Sequence, residues 1–286
     1  MDLSSLLFGY SKALYSNWIF YKPDHLLIDC GEGVASNLGN GNYGIEKILL
    51  THGHIDHIAG LPVLLWTRAA GMGDNEKPLT IYLPEGDVYL QDMERFLSRT
   101  REKLPYDLQW HSIKAGIEIP LSATRRIATF STRHIPNQLT LGYKILESRR
   151  RLKSEFAHLS ENEIRQRAQS GGKAAIDEIM ESYDAIVAAF GGDGLALDAE
   201  QVQNAELLVH EATILEPSER KGMRHATLEE AVEVAMKAQA KTLLLQHISG
   251  RYDKAQVEKA AQNAAHKHGY QNDIWCLFHN RLWQIL

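Results

Sequence analysis

Thr51-His52-Gly53-His54-Ile55-Asp56-His57 constrains this chain more than any other stretch. Three imidazoles and a carboxylate fall within six residues, directly after the apolar run Ile48-Leu49-Leu50. Alternate residues of an extended segment point the same way, so His52 and His54 can converge on one ion. Asp56 and His57 sit where the chain turns and can reach a second ion nearby. Imidazole and carboxylate are the ligand types that suit a borderline cation such as zinc. The pattern calls for a fold in which a buried strand delivers this loop to a site where metal chemistry is done.

The rest of the chain fits such a fold. Short apolar runs, among them 26–28, 48–50, 79–83, 185–188, 207–209 and 242–245, alternate with helical patterns at roughly 56–70, 87–101, 228–239 and 254–268. Runs bounded by Gly, Pro and Asp in this way predict an α/β architecture with buried sheets. Thr227-x-x-Glu230 and Ser160-x-x-Glu163 have capping-box spacing, and Gly269 is placed to close a helix that Asp253 caps. With no internal repeat, residues 1–286 read as one domain.

Composition excludes some classes of function. No apolar stretch approaches the roughly 20 residues needed to span a bilayer. The first residues lack the basic region of a secretory signal. Cys30 and Cys276 are the only cysteines, which argues against a disulfide framework and for a reducing, cytoplasmic setting. The net charge of −5 does not advertise nucleic-acid binding. Charge is uneven, however: from Glu147 to Ala175 seven Lys/Arg face four Asp/Glu. Residues 148–175, led by Arg149-Arg150-Arg151 and Lys153, read as an exposed, inserted basic arm with a short helix bounded by Gly171-Gly172.

Further candidates lie just past apolar runs, as α/β proteins place site residues in loops at one sheet edge. Asp29 follows Ile28, His134 follows the run ending in Phe130, Asp193 follows Phe190, and His247 follows Leu245. The glycines around Asp193 allow the backbone to approach an ion closely.

Taken together and in order, Leu27-Ile28-Asp29-Cys30-Gly31-Glu32-Gly33, the His52/His54/Asp56/His57 cluster, His134, Asp193 and His247 resemble the metallo-β-lactamase fold. His210-Glu211-Ala212-Thr213, His225-Ala226-Thr227 and His247-Ile248-Ser249-Gly250-Arg251-Tyr252 narrow the resemblance to the tRNase Z branch, the 3′-tRNA-processing endoribonucleases. The resemblance runs from about residue 23 to residue 252 and implies a four-layer αββα sandwich. It also implies two Zn2+ ions per chain: His52, His54 and His134 would hold one, Asp56, His57 and His247 the other, and Asp193 would bridge them. Asp56 would in addition take a proton from the nucleophile. His225, oriented by Glu211, would act as general acid on the leaving 3′ oxygen. Members of the branch are typically homodimers in which one subunit's arm serves the other's site.

The sequence departs from the branch at several points. Phe8-Gly9-Tyr10-Ser11-Lys12-Ala13 stands where a Gly-Thr-Ser type turn is usual, and no Pro-x-Lys-Arg-Asn segment is present. Segment 148–175 lacks a Gly/Pro-rich hand. These departures leave the two-metal chemistry intact and bear on the substrate. Precursor tRNA is the first expectation. The alternatives are a small phosphodiester such as a cyclic nucleotide, another small molecule, or a non-catalytic RNA-binding role.

Overall fold

The apolar runs pair into two mixed sheets. The computed structural model describes residues 2–71, 77–99, 103–220 and 222–286. The first sheet contains β1 (Leu7–Lys12), β2 (Ser16–Tyr21), β3 (Leu26–Ile28), β4 (Lys47–Leu49), β5 (Leu79–Pro84) and β6 (Leu108–Ile113), in sequence order. The second contains β7 (Glu118–Pro120), β8 (Arg125–Thr132), β9 (Thr140–Leu152), β10 (Met180–Phe190), β11 (Leu208–Glu211), β12 (Thr242–Gln246), β13 (Asp273–Phe278) and β14 (Arg281–Gln284). Its spatial order is the same sequence reversed, from β14 to β7. Strands β3 to β6 are parallel, as are β10 to β13.

Packing sets the layers. Ile19, Leu26, Ile28 and Leu49 of the first sheet meet Leu141, Tyr143, Val209 and Leu244 of the second in an inter-sheet core. Among the helices are α1 (Leu3–Leu6), α2 (Val34–Leu38), α3 (Ile55–Ile58), α4 (Leu61–Gly71) and α5 (Val88–Ser98). Leu61, Leu64 and Leu65 of α4 and Leu90 of α5 join Ile48 and Ile81 on the outer face of the first sheet. Further along come α6 (Glu161–Ile179), α7 (Leu228–Lys237) and α8 (Lys254–His268). Ala231, Val232 and Ala235 of α7 and Val257 and Ala261 of α8 cover Leu208, Leu243 and Leu245. The result is the expected αββα sandwich. Central strands covered on both faces explain why the runs read as continuously apolar rather than alternating: all five residues of β12 are buried.

Caps form where the spacing placed them. Ser160, Thr227 and Asp253 each close a capping box, and Gly269 ends α8 with φ of 69°. The helix expected at 56–70 is instead two. Pro62 separates α3 from α4, since it has no N–H to give the Ile58 carbonyl, and Gly60 fits the junction because a side chain there would run into the Gly31 and Cys30 carbonyls. α5 ends at Ser98, and positions 100 and 101 of the helix expected there lie outside the described residues.

Residues 148–175, expected as an arm, fall in a long antiparallel β9–β10 hairpin closed by α6, paired from Tyr143↔Phe190 out to Leu152↔Met180. The first stretch of α6 ends at Gly172, as expected, because φ of 60° and ψ of −147° there are non-helical; a second stretch runs on to Ile179. The leading arginines are not free: Arg149 pairs with Glu147 and Glu206, Arg150 with Asp177 and Arg151 with Glu181. Asp177 and Glu181 lie just beyond Ala175, so a window ending there counts the cations without most of their partners.

Candidate metal centre

The site gathers along one edge where the two sheets' strands end. Asp29 follows β3, and Thr51 through His57 follow β4. His134 follows β8 and Asp193 follows β10, while Glu211 ends β11 and His247 follows β12. Parallel strands put their loops at this edge, which is where open α/β sheets build sites.

Three imidazoles converge first. His52 Nε2 lies 3.0 Å from His54 Nδ1, and His134 Nε2 lies 3.1 Å from the same atom. Their outer nitrogens are committed elsewhere. The Thr51 hydroxyl donates to Asp29 Oδ2 and sits 2.9 Å from His52 Nδ1, so it accepts from that N–H. His134 Nδ1 donates to the Arg224 carbonyl at 3.0 Å. The lone pairs of His52 Nε2 and His134 Nε2 therefore both face His54 Nδ1, whose single proton could serve only one of them. A cation at their centre resolves this; a hydrogen-bond network cannot. Burial lowers the pKa of His52, His54 and His134, and neighbouring imidazoles lower it further. All three stay neutral at pH 7, the form that ligates.

The second group mixes charge. His57 Nδ1 donates to Asp29 Oδ2 at 2.7 Å, leaving Nε2 at 3.2 Å from Asp193 Oδ2 and 3.6 Å from Asp56 Oδ2. The Thr213 hydroxyl donates to Glu211 and accepts from His247 Nδ1 at 2.7 Å. His247 Nε2 is thus turned towards Asp193 Oδ2, 2.9 Å away, and Asp56 Oδ2, 3.5 Å away. Neither His247 Nε2 nor Asp193 Oδ1 has an aligned hydrogen-bond partner, although both are buried. Orphaned atoms of ligand type, converging from an imidazole and a carboxylate, are what a divalent cation would satisfy.

Burial opposes charge on His57, but Asp193 and Asp29 outweigh it and hold its pKa up at about 10. His247 is likewise raised against burial by Asp193 and Asp56. Burial would also raise Asp193, yet His247 and His57 hold it well below the usual carboxylate range. Where the first group offers lone pairs outright, the second holds protons that a divalent cation would displace.

Four groups of ligand atoms lie within 4.8 Å: His52/His54/His134, His52/His57/Asp193, Asp56/His57/His247 and Asp193/His225/His247. Every residue expected as a metal ligand is in them, and Asp193 falls with His52 and His57 in one and with His225 and His247 in another. His225 stands at the edge, its ring 4.9 Å from that of His134 and 5.4 Å from that of His247. Its Nδ1 is 3.1 Å from Glu211 Oε2. Burial disfavours its charge, but the Glu211 carboxylate prevails and raises its pKa. Glu211 is itself held at about 2 against burial by hydrogen bonds from His225 and His247.

Several positioning residues went unnoticed in the sequence. Buried Asp87 accepts from the Gly53 amide at 2.7 Å, caps α5 through Tyr89 and Leu90, and takes the Gln138 amide at 2.6 Å. It thereby locks the first metal loop to the loop carrying His134. Asn17 donates to Asp56 Oδ2 at 3.1 Å, and Ser11 bridges Asn17 to the His247 amide. Gly86-Asp87 before an amphipathic run was the available signal for the cap; Asn17 and Ser11 had none. His210, though beside Glu211, turns away from the metal groups, bonding Leu197 and the Glu211 carbonyl.

Known proteins place this arrangement. A family model described as Anti-Pycsar protein Apyc1 matches residues 9–173. Ribonuclease Z of Bacillus velezensis is 33% identical over 254 residues, covering 79% of this chain and 78% of that protein. The metallo-β-lactamase fold protein YhfI of Bacillus subtilis superposes with a TM-score of 0.63 at 18% identity, covering 97% of this chain and 99% of the other. The short form of human tRNase Z superposes at 0.65 with 19% identity, covering 98% and 99%. No helix among the described residues is long and apolar enough to cross a membrane. The chain belongs to the family described as Anti-Pycsar protein Apyc1 and to the ribonuclease Z family, and is a metal-dependent hydrolase of the metallo-β-lactamase fold.

Proposed function

We propose that this chain is a two-zinc phosphodiesterase that removes the 3′ trailer of precursor tRNA. The convergence of seven ligand-type side chains, with orphaned buried atoms on Asp193 and His247, carries the reading. His52, His54 and His134 would hold one ion and Asp56, His57 and His247 the other, with Asp193 available to either. Bound there, a pair of zinc ions supplies Lewis-acid stabilisation to a phosphodiester and makes hydroxide available near neutral pH.

The protein's own groups do the rest. Asp56, kept ionised against burial by the neighbouring His247 and His57, receives a proton from the attacking water. Attack on phosphorus breaks the bond to the upstream 3′ oxygen. His225, held protonated by Glu211, gives that oxygen its proton, leaving a 3′-hydroxyl on the tRNA and a 5′-phosphate on the trailer.

A homodimer fits the surface. Six of the eleven exposed large apolar side chains among the described residues are Ile55, Val63, Trp66, Val88, Tyr89 and Phe96. Concentrated on α3, α4 and α5, they suit a second copy of the chain better than water.

A second reading has one observation in its favour. With Arg149, Arg150 and Arg151 paired to acids, the arginine run that leads the arm offers a polyanion little unmatched charge. That suits a small phosphodiester such as a cyclic nucleotide. The test is incubation of zinc-loaded protein with a 3′-extended precursor tRNA and, separately, a cyclic mononucleotide, followed by end mapping. One cut beside the discriminator base supports tRNA processing. Hydrolysis of the cyclic nucleotide with intact RNA replaces it by the second reading.

A further inference from the structure

The turn between β1 and β2, where the sequence departs from the Gly-Thr-Ser pattern, is built into the metal centre. Ala13 donates to the Ile248 carbonyl at 3.2 Å, next to His247. Leu14 donates its amide to Asp56 Oδ2, also at 3.2 Å. It does so from a left-handed conformation, φ 67°, which a branched non-glycine residue adopts only where its surroundings impose it. The tip is therefore fixed against both the Asp56 and the His247 sides of the second cation group.

That fixed tip projects two large side chains into solvent. Leu14 is 83% exposed and Tyr15 64% exposed. A turn of this kind more commonly carries small polar residues. Lys12 places its ammonium 3.9 Å from the Tyr15 ring centroid. This cation–π contact orients the ring and covers one face, and the exposure leaves the rest open. Tyr15 is one residue from the amide that touches Asp56, a step of about 4 Å along the chain. An open aromatic face with an adjacent ammonium, next in the chain to a residue bonded to Asp56, matches a nucleotide: a base to stack and a phosphate to attract.

We propose that Tyr15, held by Lys12, is a nucleobase-stacking residue for the nucleotide whose phosphate occupies the metal centre. The proposal rests on the phosphodiesterase reading above. Stacking accepts any base, so Tyr15 adds affinity for nucleotides over other phosphate esters without choosing among bases.

Calorimetric titration of the zinc-loaded full chain with adenosine 5′-monophosphate and with ribose 5-phosphate tests it without turnover. The wild type binds the nucleotide about tenfold more tightly, as expected for one stacked base. Tyr15→Ala abolishes that preference by weakening the nucleotide alone, and Tyr15→Phe keeps it. Being exposed, Tyr15 tolerates both changes without loss of fold. A preference that survives Tyr15→Ala, or a wild type that shows none, overturns the proposal. If the wild type binds neither ligand, the phosphodiesterase reading fails and takes this inference with it.

Discussion

His57 Nδ1 and Asp29 Oδ2 lie 2.7 Å apart, both buried, and Asp29 is at the same time bonded to the amide and hydroxyl of Thr51. One carboxylate at the end of β3 thus fixes the His57 ring and, through Thr51, the His52 ring, the two imidazoles that would serve the second and first groups. Asp29 has φ of 57°, a conformation asparagine also tolerates. Asp29→Asn keeps the fold but turns an amide N–H2 towards existing donors. Metal affinity falls about 10–100-fold, the usual effect of losing a ligand's outer hydrogen bond. Competition with a chromophoric chelator measures it; unchanged affinity would mean that Asp29 does not orient the ligands.

The His225–Glu211 pair sets a leaving-group dependence. His225→Ala lowers kcat on RNA about 10²–10⁴-fold, the range of general-acid catalysis. On bis-p-nitrophenyl phosphate, whose leaving group needs little protonation, the loss is much smaller. Equal losses on both substrates would show that His225 acts through the metals and not on the leaving oxygen.

The same pair sets the alkaline limb of the pH profile. Glu211 raises the His225 pKa, so the acid form is present below that raised value and is lost as pH rises through it. Glu211→Gln removes the negative charge and lowers the His225 pKa. The limb of kcat against pH moves to lower pH, which a rate profile on RNA reads directly. A limb that stays in place assigns it to another group.

Trp66 tests the apolar face. It is 44% exposed on α4, so Trp66→Glu leaves the core untouched. In light scattering after size exclusion, the wild type runs at twice the chain mass and the variant at once. A wild-type monomer removes the dimer.

The arm's arginines make exposed pairs. Arg150 and Asp177 are 42% and 47% exposed at the side chain, so Arg150→Ala changes stability by no more than about 1 kcal/mol. With the charge already paired, RNA affinity also changes little, measured by filter binding across salt. A steep loss with a reduced salt slope would show that Arg150 leaves Asp177 to grip phosphate.

Much of this site was legible because metal binding puts strict demands on residue type. His52, His54, Asp56 and His57 are close in sequence, and Asp193 and His247 each follow a strand core, so residue type and position pointed to them together. Their supporting residues were not legible in the same way. Ser11, Asn17 and Asp87 are ordinary polar residues whose roles arise only when β1, β2 and α5 pack beside the metal loops. The arm shows the other limit. Its arginines find Asp177, Glu181 and Glu206 across a hairpin and a neighbouring strand, pairings that no sequence window contains. Pro62 was the local signal that one helical pattern divides in two, whereas the need for glycine at 60, its contact with Gly31, is remote in sequence.

Metal content most directly tests the two-ion centre. Purified chain, loaded with excess zinc and desalted, is analysed by elemental mass spectrometry beside His134→Ala. Two ions per wild-type chain and about one in the variant are the expected result, since His134 serves only the first group. One ion or none in the wild type, or two in the variant, would contradict the account.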